Sequence, residues 1–126
     1  MQKETSDRPC LLLVEDEPSL AILLTRLLDA YRVQVCTDGL SAKMFLVKDK
    51  PDVIICDVGL PDTDGARFYD WLALQRPELC KRLIFTTGGL TSNDLTTRIQ
   101  QTRRPVLAKP FHFPRLLSLL SEVASA

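Results

Sequence analysis

The chain has 126 residues with Lys plus Arg and Asp plus Glu balanced at 16 each, so no net field draws it to nucleic acid or to an anionic membrane. Its ordinary apolar and charged fractions describe one globular core, and no apolar run approaches the length that crosses a bilayer. The opening MQKETSDRPC is polar and mixed in charge, unlike a secretory signal.

Cys10, Cys36, Cys56 and Cys80 show no CxxC spacing, and His112 is the single histidine. The cysteines therefore read as small buried hydrophobes of a cytoplasmic, reducing compartment, with neither a disulfide frame nor a zinc site.

Residues 1–8 read as a disordered lead-in to one domain over 9–126. Cys10 to Val14 is a continuous apolar run, the pattern of a strand buried on both faces, and Glu15, Asp16 and Glu17 follow at once. Pro18 suits the first turn of a helix, where a missing N–H is harmless. Leu20, Leu24, Leu27, Leu28 and Tyr31 then keep a helical stripe, with Ile22 on the opposite side. Residues 32–36, RVQVC, alternate as a second strand. Asp38-Gly39 turns the chain into a helix over about residues 40–48, in which Leu40, Met44 and Val47 are expected to face inward.

The run Val53-Ile54-Ile55-Cys56 ends in a single carboxylate, Asp57. Gly59, Pro61, Asp64 and Gly65 follow as turn formers. Phe68, Trp71, Leu72, Leu74 and Leu79 predict a third helix that stops near Pro77. Leu83-Ile84-Phe85 is a fourth buried strand, ending in Thr86-Thr87-Gly88-Gly89. Residues 92–102 offer only Leu95 and Ile99 as strong anchors among threonines, so a short, weakly held helix is expected. Val106-Leu107-Ala108 is a fifth strand, and the Lys109-Pro110 bond after it is expected to be cis. Phe113, Leu116, Leu117, Leu120 and Val123 mark a closing amphipathic helix. Five strand–helix alternations predict an α/β fold with helices on both faces of a parallel sheet. Right-handed crossovers then collect every strand's carboxyl end on one edge.

Open α/β sheets bind ligands at that edge. Glu15 and Asp16 follow the first strand, Asp57 ends the third, and Thr87 and Lys109 follow the fourth and fifth. With the first and third strands adjacent, three carboxylates converge and repel one another unless a cation neutralises them. Oxygen ligands with open positions suit Mg²⁺. The Lys109 ammonium and the Thr87 hydroxyl suit the peripheral oxygens of a phosphoryl group. A carboxylate beside a metal and a lysine is equipped to accept phosphate as an acyl phosphate. Each piece alone has a plainer reading. Asp57 could cap a loop, the acidic triplet could stabilise a helix N-terminus, Gly88-Gly89 could be a simple turn and Lys109 a solvated charge. Their convergence favours the phosphoryl site. Asp62-x-Asp64-Gly65 is similar to part of an EF-hand loop, but Leu60 and Trp71 stand where that loop needs oxygen ligands.

From about residue 9 to 124 the chain resembles the receiver domain of two-component response regulators. The resemblance rests on LLLVEDEP, IICDVGLPDTDG, LIFTTGG and VLAKPF, in this order and spacing. It implies a doubly wound (βα)5 flavodoxin-like fold, with a parallel five-stranded sheet in the order 2-1-3-4-5. It also implies that Asp57 is the phosphoacceptor and that Glu15, Asp16, Asp57 and the carbonyl of Gly59 hold Mg²⁺. Thr87, Gly88 and Lys109 would bind the phosphoryl group. Two positions depart from the commonest pattern. Glu15-Asp16 replaces an Asp-Asp pair, and Val106 stands where many receivers carry a Tyr or Phe that rotates against the threonine. RPELCKRLIFTTGG resembles the receivers attached to hybrid sensor kinases.

The expected function is a phosphoacceptor switch, which catalyses only its own phosphorylation and dephosphorylation. It would take phosphate from a histidine kinase or histidine phosphotransfer protein and change a docking surface. No nucleic-acid-binding or membrane segment is expected, so the chain acts by docking or as a piece of a longer protein. One alternative is an aspartyl-phosphate phosphatase, which commonly carries a second Asp where Gly59 stands. Another is a receiver-fold docking module that works without phosphorylation, for which the set of Glu15, Asp16, Asp57, Thr87 and Lys109 would have no use.

Overall fold

Strands without a polar face must lie between two layers, and the chain folds that way in a computed structural model that describes residues 7–89 and 91–126. β1 (Cys10–Val14), β3 (Val53–Asp57) and β4 (Leu83–Thr87) are buried along their length, except for the half-buried Thr87. β2 (Arg32–Cys36) and β5 (Val106–Ala108) carry exposed residues because they form the two edges. All pairings are parallel and the order is β2-β1-β3-β4-β5. The alternation of strands and helices predicts the parallel sheet with helices on both faces, and the fold is flavodoxin-like, as the resemblance implies.

α1 (Pro18–Leu27) and α5 (Phe113–Ala124) cover one face of the sheet, packing Leu24, Leu116 and Leu120 on Leu11, Leu13, Ile55 and Ile84. α2 (Gly39–Lys48), α3 (Gly65–Gln75) and α4 (Asn93–Gln101) cover the other, with Leu46, Phe68, Leu72 and Ile99 against Leu12, Ile54 and Phe85. Each such side chain, fully buried, contributes roughly 1.5–3 kcal/mol of transfer free energy. Residues 1–6 of the expected lead-in lie outside the described residues. The Arg8 guanidinium donates to the carbonyl of Asp29 at 3.0 Å.

The inward face expected for α2 is wrong. Leu40, Met44 and Val47 are 60%, 64% and 71% exposed, while Gly39, Ala42 and Leu46 are buried. Both sets keep helical spacing, so periodicity cannot choose between them. The helix N-terminus chooses. Asp62, from the loop after β3, accepts from the Gly39 and Leu40 amides at 2.8 and 2.9 Å. Asp38 caps the same turn by accepting from the Ser41 amide. These contacts fix the rotation of the helix about its axis. Glycine is needed at the contact, because a Cβ on Gly39 would lie 2.6 Å from Thr63 Cγ2.

Leu27, Leu74 and Leu117 also face outward, and Leu119 takes an inward place in α5. Leu79 is buried from a short 3₁₀ helix, Pro77–Arg82, that follows α3. The Lys109-Pro110 bond is cis. No helix among the described residues is long and apolar enough to cross a membrane.

Candidate functional site

Successive residues of a strand point to opposite faces. Leu13, Ile55, Ile84 and Leu107 belong to the layer under α1 and α5, so Glu15, Asp57, Thr86 and Lys109, two residues further on, turn the same way. The register then sets a row. Val14 pairs with Cys56, which puts Glu15 level with Asp57; Asp57 pairs with Thr86, and Thr86 with Leu107.

Lys109 closes this row. Its Nζ lies 2.8 Å from Asp57 Oδ2 and 3.0 Å from Glu15 Oε1. Because β4 stands between β3 and β5, the lysine stem must cross β4 to reach them. Its backbone is held by the Lys109 amide, which donates to the Thr87 carbonyl at 2.8 Å. The remaining oxygens are also engaged. Asp57 Oδ1 accepts from the Gly59 amide at 3.1 Å, and Glu15 Oε2 from the Glu17 amide at 3.2 Å.

Glu15 and Asp57 are buried, whereas Asp16 is exposed at the mouth. Burial pushes the Glu15 carboxyl above its ordinary range, and the hydrogen bonds from Lys109 and Glu17 only partly offset this. Burial by itself would lower Lys109, but its bonds to Asp57 and Glu15 outweigh that and raise the ammonium above its ordinary value. One carboxylate oxygen from each of Glu15, Asp16 and Asp57 lies within 4.8 Å of the others. An all-oxygen set with one open side fits a hard divalent cation that keeps some of its water, such as Mg²⁺. Gly59 meets Asp57 through its amide.

Thr87 turns to the opposite face. Its Oγ1 accepts from the Gly89 amide at 3.1 Å, and among the described residues no hydrogen bond joins this hydroxyl to Asp57 or to Lys109. Gly88 is exposed, and Gly89 takes φ 98°, a left-handed backbone that suits glycine. Thr87, Val58, Ile99 and Val106 line a cavity of about 160 Å³ between β4, β5 and α4. Val106 itself is 45% exposed. The fold thus brings Glu15, Asp16, Asp57 and Lys109 together, and leaves Thr87 and Gly88 beside them.

The loop after β3 is folded tightly under the site. Val58 donates to the Thr86 carbonyl at 2.8 Å and Gly65 to the Val58 carbonyl at 2.7 Å. A Cβ on Gly65 would lie 3.0 Å from the Phe85 ring, so this close approach needs glycine. Asp64 caps α3 by accepting from the Arg67 amide at 2.8 Å, and Asp62 serves α2. The aspartate spacing that resembles part of an EF-hand loop therefore holds two helix N-termini. Asp62, which the sequence offers only in a spacing similar to part of an EF-hand loop, and Thr86, which it offers only as the end of a strand, gain their places from the structure. A polar residue at a buried position of the run LIFTT was the available signal for Thr86.

The model of the response regulator receiver domain family matches residues 11–121. Transcription factor SKN7 of Saccharomyces cerevisiae is 36% identical over 111 residues, covering 86% of this chain and 18% of that protein. Transcriptional regulatory protein CreB of Escherichia coli is 34% identical over 122 residues, covering 88% of this chain and 46% of that one. The chain therefore spans less than half the length of either relative. Among solved structures, the signal receiver domain of a signal transduction histidine kinase from Syntrophus aciditrophicus superposes with a TM-score of 0.81 at 30% identity, covering 93% and 90% of the two chains. The receiver domain of a sensor histidine kinase from Pseudomonas aeruginosa, with a magnesium ion coordinated in its active site cleft, gives 0.79 at 27% identity, covering 94% and 98%.

Proposed function

We propose, since the chain belongs to the response regulator receiver domain family, that it is a phosphoacceptor taking a phosphoryl group from a partner phosphohistidine onto Asp57. The observation that carries this reading is the Lys109 ammonium shared between Asp57 and Glu15. A carboxylate held beside an ammonium on a buried floor is positioned as a nucleophile toward phosphorus.

In the reaction a carboxylate oxygen of Asp57 forms the new P–O bond as the P–N bond of the donor histidine breaks. Gly59, donating to Oδ1, and Lys109, donating to Oδ2, fix the plane of the attacking carboxylate. Lys109 then has Asp57 itself as the anchor from which to follow charge onto the phosphoryl oxygens. Glu15, Asp16 and Asp57, with the Gly59 carbonyl, would hold Mg²⁺, which supplies positive charge against the phosphoryl oxygens. Thr87 would turn its hydroxyl toward the same group, with the Gly88 amide nearby.

The donor would be a histidine kinase or a histidine phosphotransfer protein of the cytoplasm, and the product a changed docking surface. No turnover of another substrate belongs to this reading. Incubation with acetyl phosphate and Mg²⁺ should add one phosphate by intact mass. Asp57→Asn, or excess chelator, should abolish the addition. Equal phosphorylation of Asp57→Asn would refute the assignment.

A further inference from the structure

The row Glu15, Asp57, Thr86 leads to a buried hydroxyl that nothing in the chemistry above uses. Thr86 is 1% exposed, and its Oγ1 has no hydrogen-bond partner among the described residues. It pairs directly with Asp57 on one side and Leu107 on the other. Neighbouring strands lie about 4.8 Å apart, so this hydroxyl sits one strand from the Asp57 carboxylate. Lys109, two residues beyond the Leu107 that pairs with Thr86, turns to the same face of the sheet. A buried hydroxyl without a partner destabilises a fold, and a valine of the same shape would avoid the penalty. Threonine here needs a reason that this conformation does not supply.

Lys109 offers one. Two of its three N–H groups go to Glu15 and Asp57. Both oxygens of Glu15 are engaged, one by Lys109 and one by the Glu17 amide. A cation that recruits Glu15 brings a second positive charge against the Lys109 ammonium there and repels it, whereas the Glu17 amide is fixed in the backbone. The lysine is the donor that moves. Its released N–H would be left unmatched in a part-buried site, an expensive state for a charged donor.

We propose that Thr86 is a positioning residue for Lys109, its hydroxyl accepting the ammonium N–H that Glu15 gives up when Glu15 turns to a divalent cation. This inference rests on the metal-binding part of the function proposed above. It makes Thr86 an alternate rest for the lysine, one that lets Glu15 go without breaking the Lys109–Asp57 contact.

The test uses Thr86→Val and Thr86→Ser, each alone and combined with Lys109→Met, titrated with MgCl₂ and followed by backbone amide shifts. Thermal midpoints are read in chelator. Thr86→Val should raise the metal-free midpoint and weaken Mg²⁺ binding about tenfold, the loss of one hydrogen bond to a charged donor. Thr86→Ser, which keeps the hydroxyl, should bind Mg²⁺ as the wild type does. In the Lys109→Met background the Thr86→Val change should leave Mg²⁺ affinity unaltered, because the donor is gone. Unchanged affinity for Thr86→Val overturns the proposal, as does a loss shared by Thr86→Ser or one that persists without Lys109. A wild type that binds Mg²⁺ but takes no phosphate from acetyl phosphate would defeat the phosphoacceptor reading alone. A wild type that binds no Mg²⁺ defeats both.

Discussion

Lys109 holds Asp57 from two strands away. The ammonium lies 2.8 Å from Asp57 Oδ2 although β4 runs between their strands. The same ammonium touches Glu15, whose side chain is only 2% exposed. One cation thus tethers β5 to the carboxylates of β1 and β3.

That tether sets a pH dependence. Lys109 has its pKa raised above the ordinary 10.5, so its stabilisation is complete below that value and is lost as pH rises through the higher, folded one. Glu15 is also raised, so its proton favours the folded state and stability declines as pH climbs past the ordinary carboxyl range. Lys109→Met should cost about 3 kcal/mol at neutral pH, because it leaves buried carboxylates without their cation. The gap between wild type and variant should hold up to about pH 10.5 and close above it as the wild-type lysine loses its proton. Urea midpoints below and above that pH are the measurement, and a constant gap would contradict the tether.

A second prediction concerns the outer face of α1. Ile22 and Leu23 are 55% and 50% exposed there, one turn beyond the acidic residues. Ile22, Ala21 and Pro18 line an apolar hollow that includes Glu15 and Val35. Exposed apolar anchors beside a reacting group suit a partner that must bring its phosphohistidine close. Ile22→Glu should slow transfer from the cognate kinase at least several-fold, by analogy with interface anchors, while acetyl phosphate labelling stays unchanged. Equal transfer rates would return Ile22 to the ordinary exposed isoleucines of a surface.

The rotation of α2 gives a stability test. Leu46 is fully buried and Met44 is 64% exposed, two residues apart on one helix. Leu46→Ala should cost about 2–5 kcal/mol, and Met44→Ala within about 0.5 kcal/mol of zero. Thermal or urea unfolding separates the two at once. Comparable losses would mean that Met44 has a partner in the folded core.

The same helix shows where sequence reading stops. The buried strands were legible because an apolar run between turn residues has few other homes, and the strand order came from the resemblance to receiver domains. The meeting of Glu15, Asp16, Asp57 and Lys109 followed from that order, since all of them lie at strand carboxyl ends. Leu40, Met44 and Val47 misled because helical spacing fits two opposite stripes of α2 equally well. The choice came from Asp62, more than twenty residues away, reaching the Gly39 amide. Thr86 was hidden for a similar reason. Its place between Asp57 and Leu107 depends on the parallel register of β3, β4 and β5, which no local pattern encodes.

The last prediction is that residues 88–102 carry the switch. α4 buries only Ile99, with Leu95 half-buried, and its ion pair from Arg98 to Asp70 at 3.1 Å is on the surface. Local stability follows buried apolar contacts, so this helix is the least firmly held of the five. Leu90, within the segment, lies outside the described residues. Thr87 is tied to its start, since Oγ1 accepts from the Gly89 amide at 3.1 Å. Turning that hydroxyl toward a phosphoryl group on Asp57 takes it away from Gly89 and from the cavity it shares with Ile99 and Val106. Contacts present in one state only are what shift a population. Val106 has no ring to follow the threonine, so the response should pass into the Gly88–Gly89 turn and α4. Hydrogen exchange with and without a beryllofluoride mimic should therefore change across residues 88–102 more than anywhere else. Protection unchanged there, or altered only in α1, would show that Thr87 does not couple to α4.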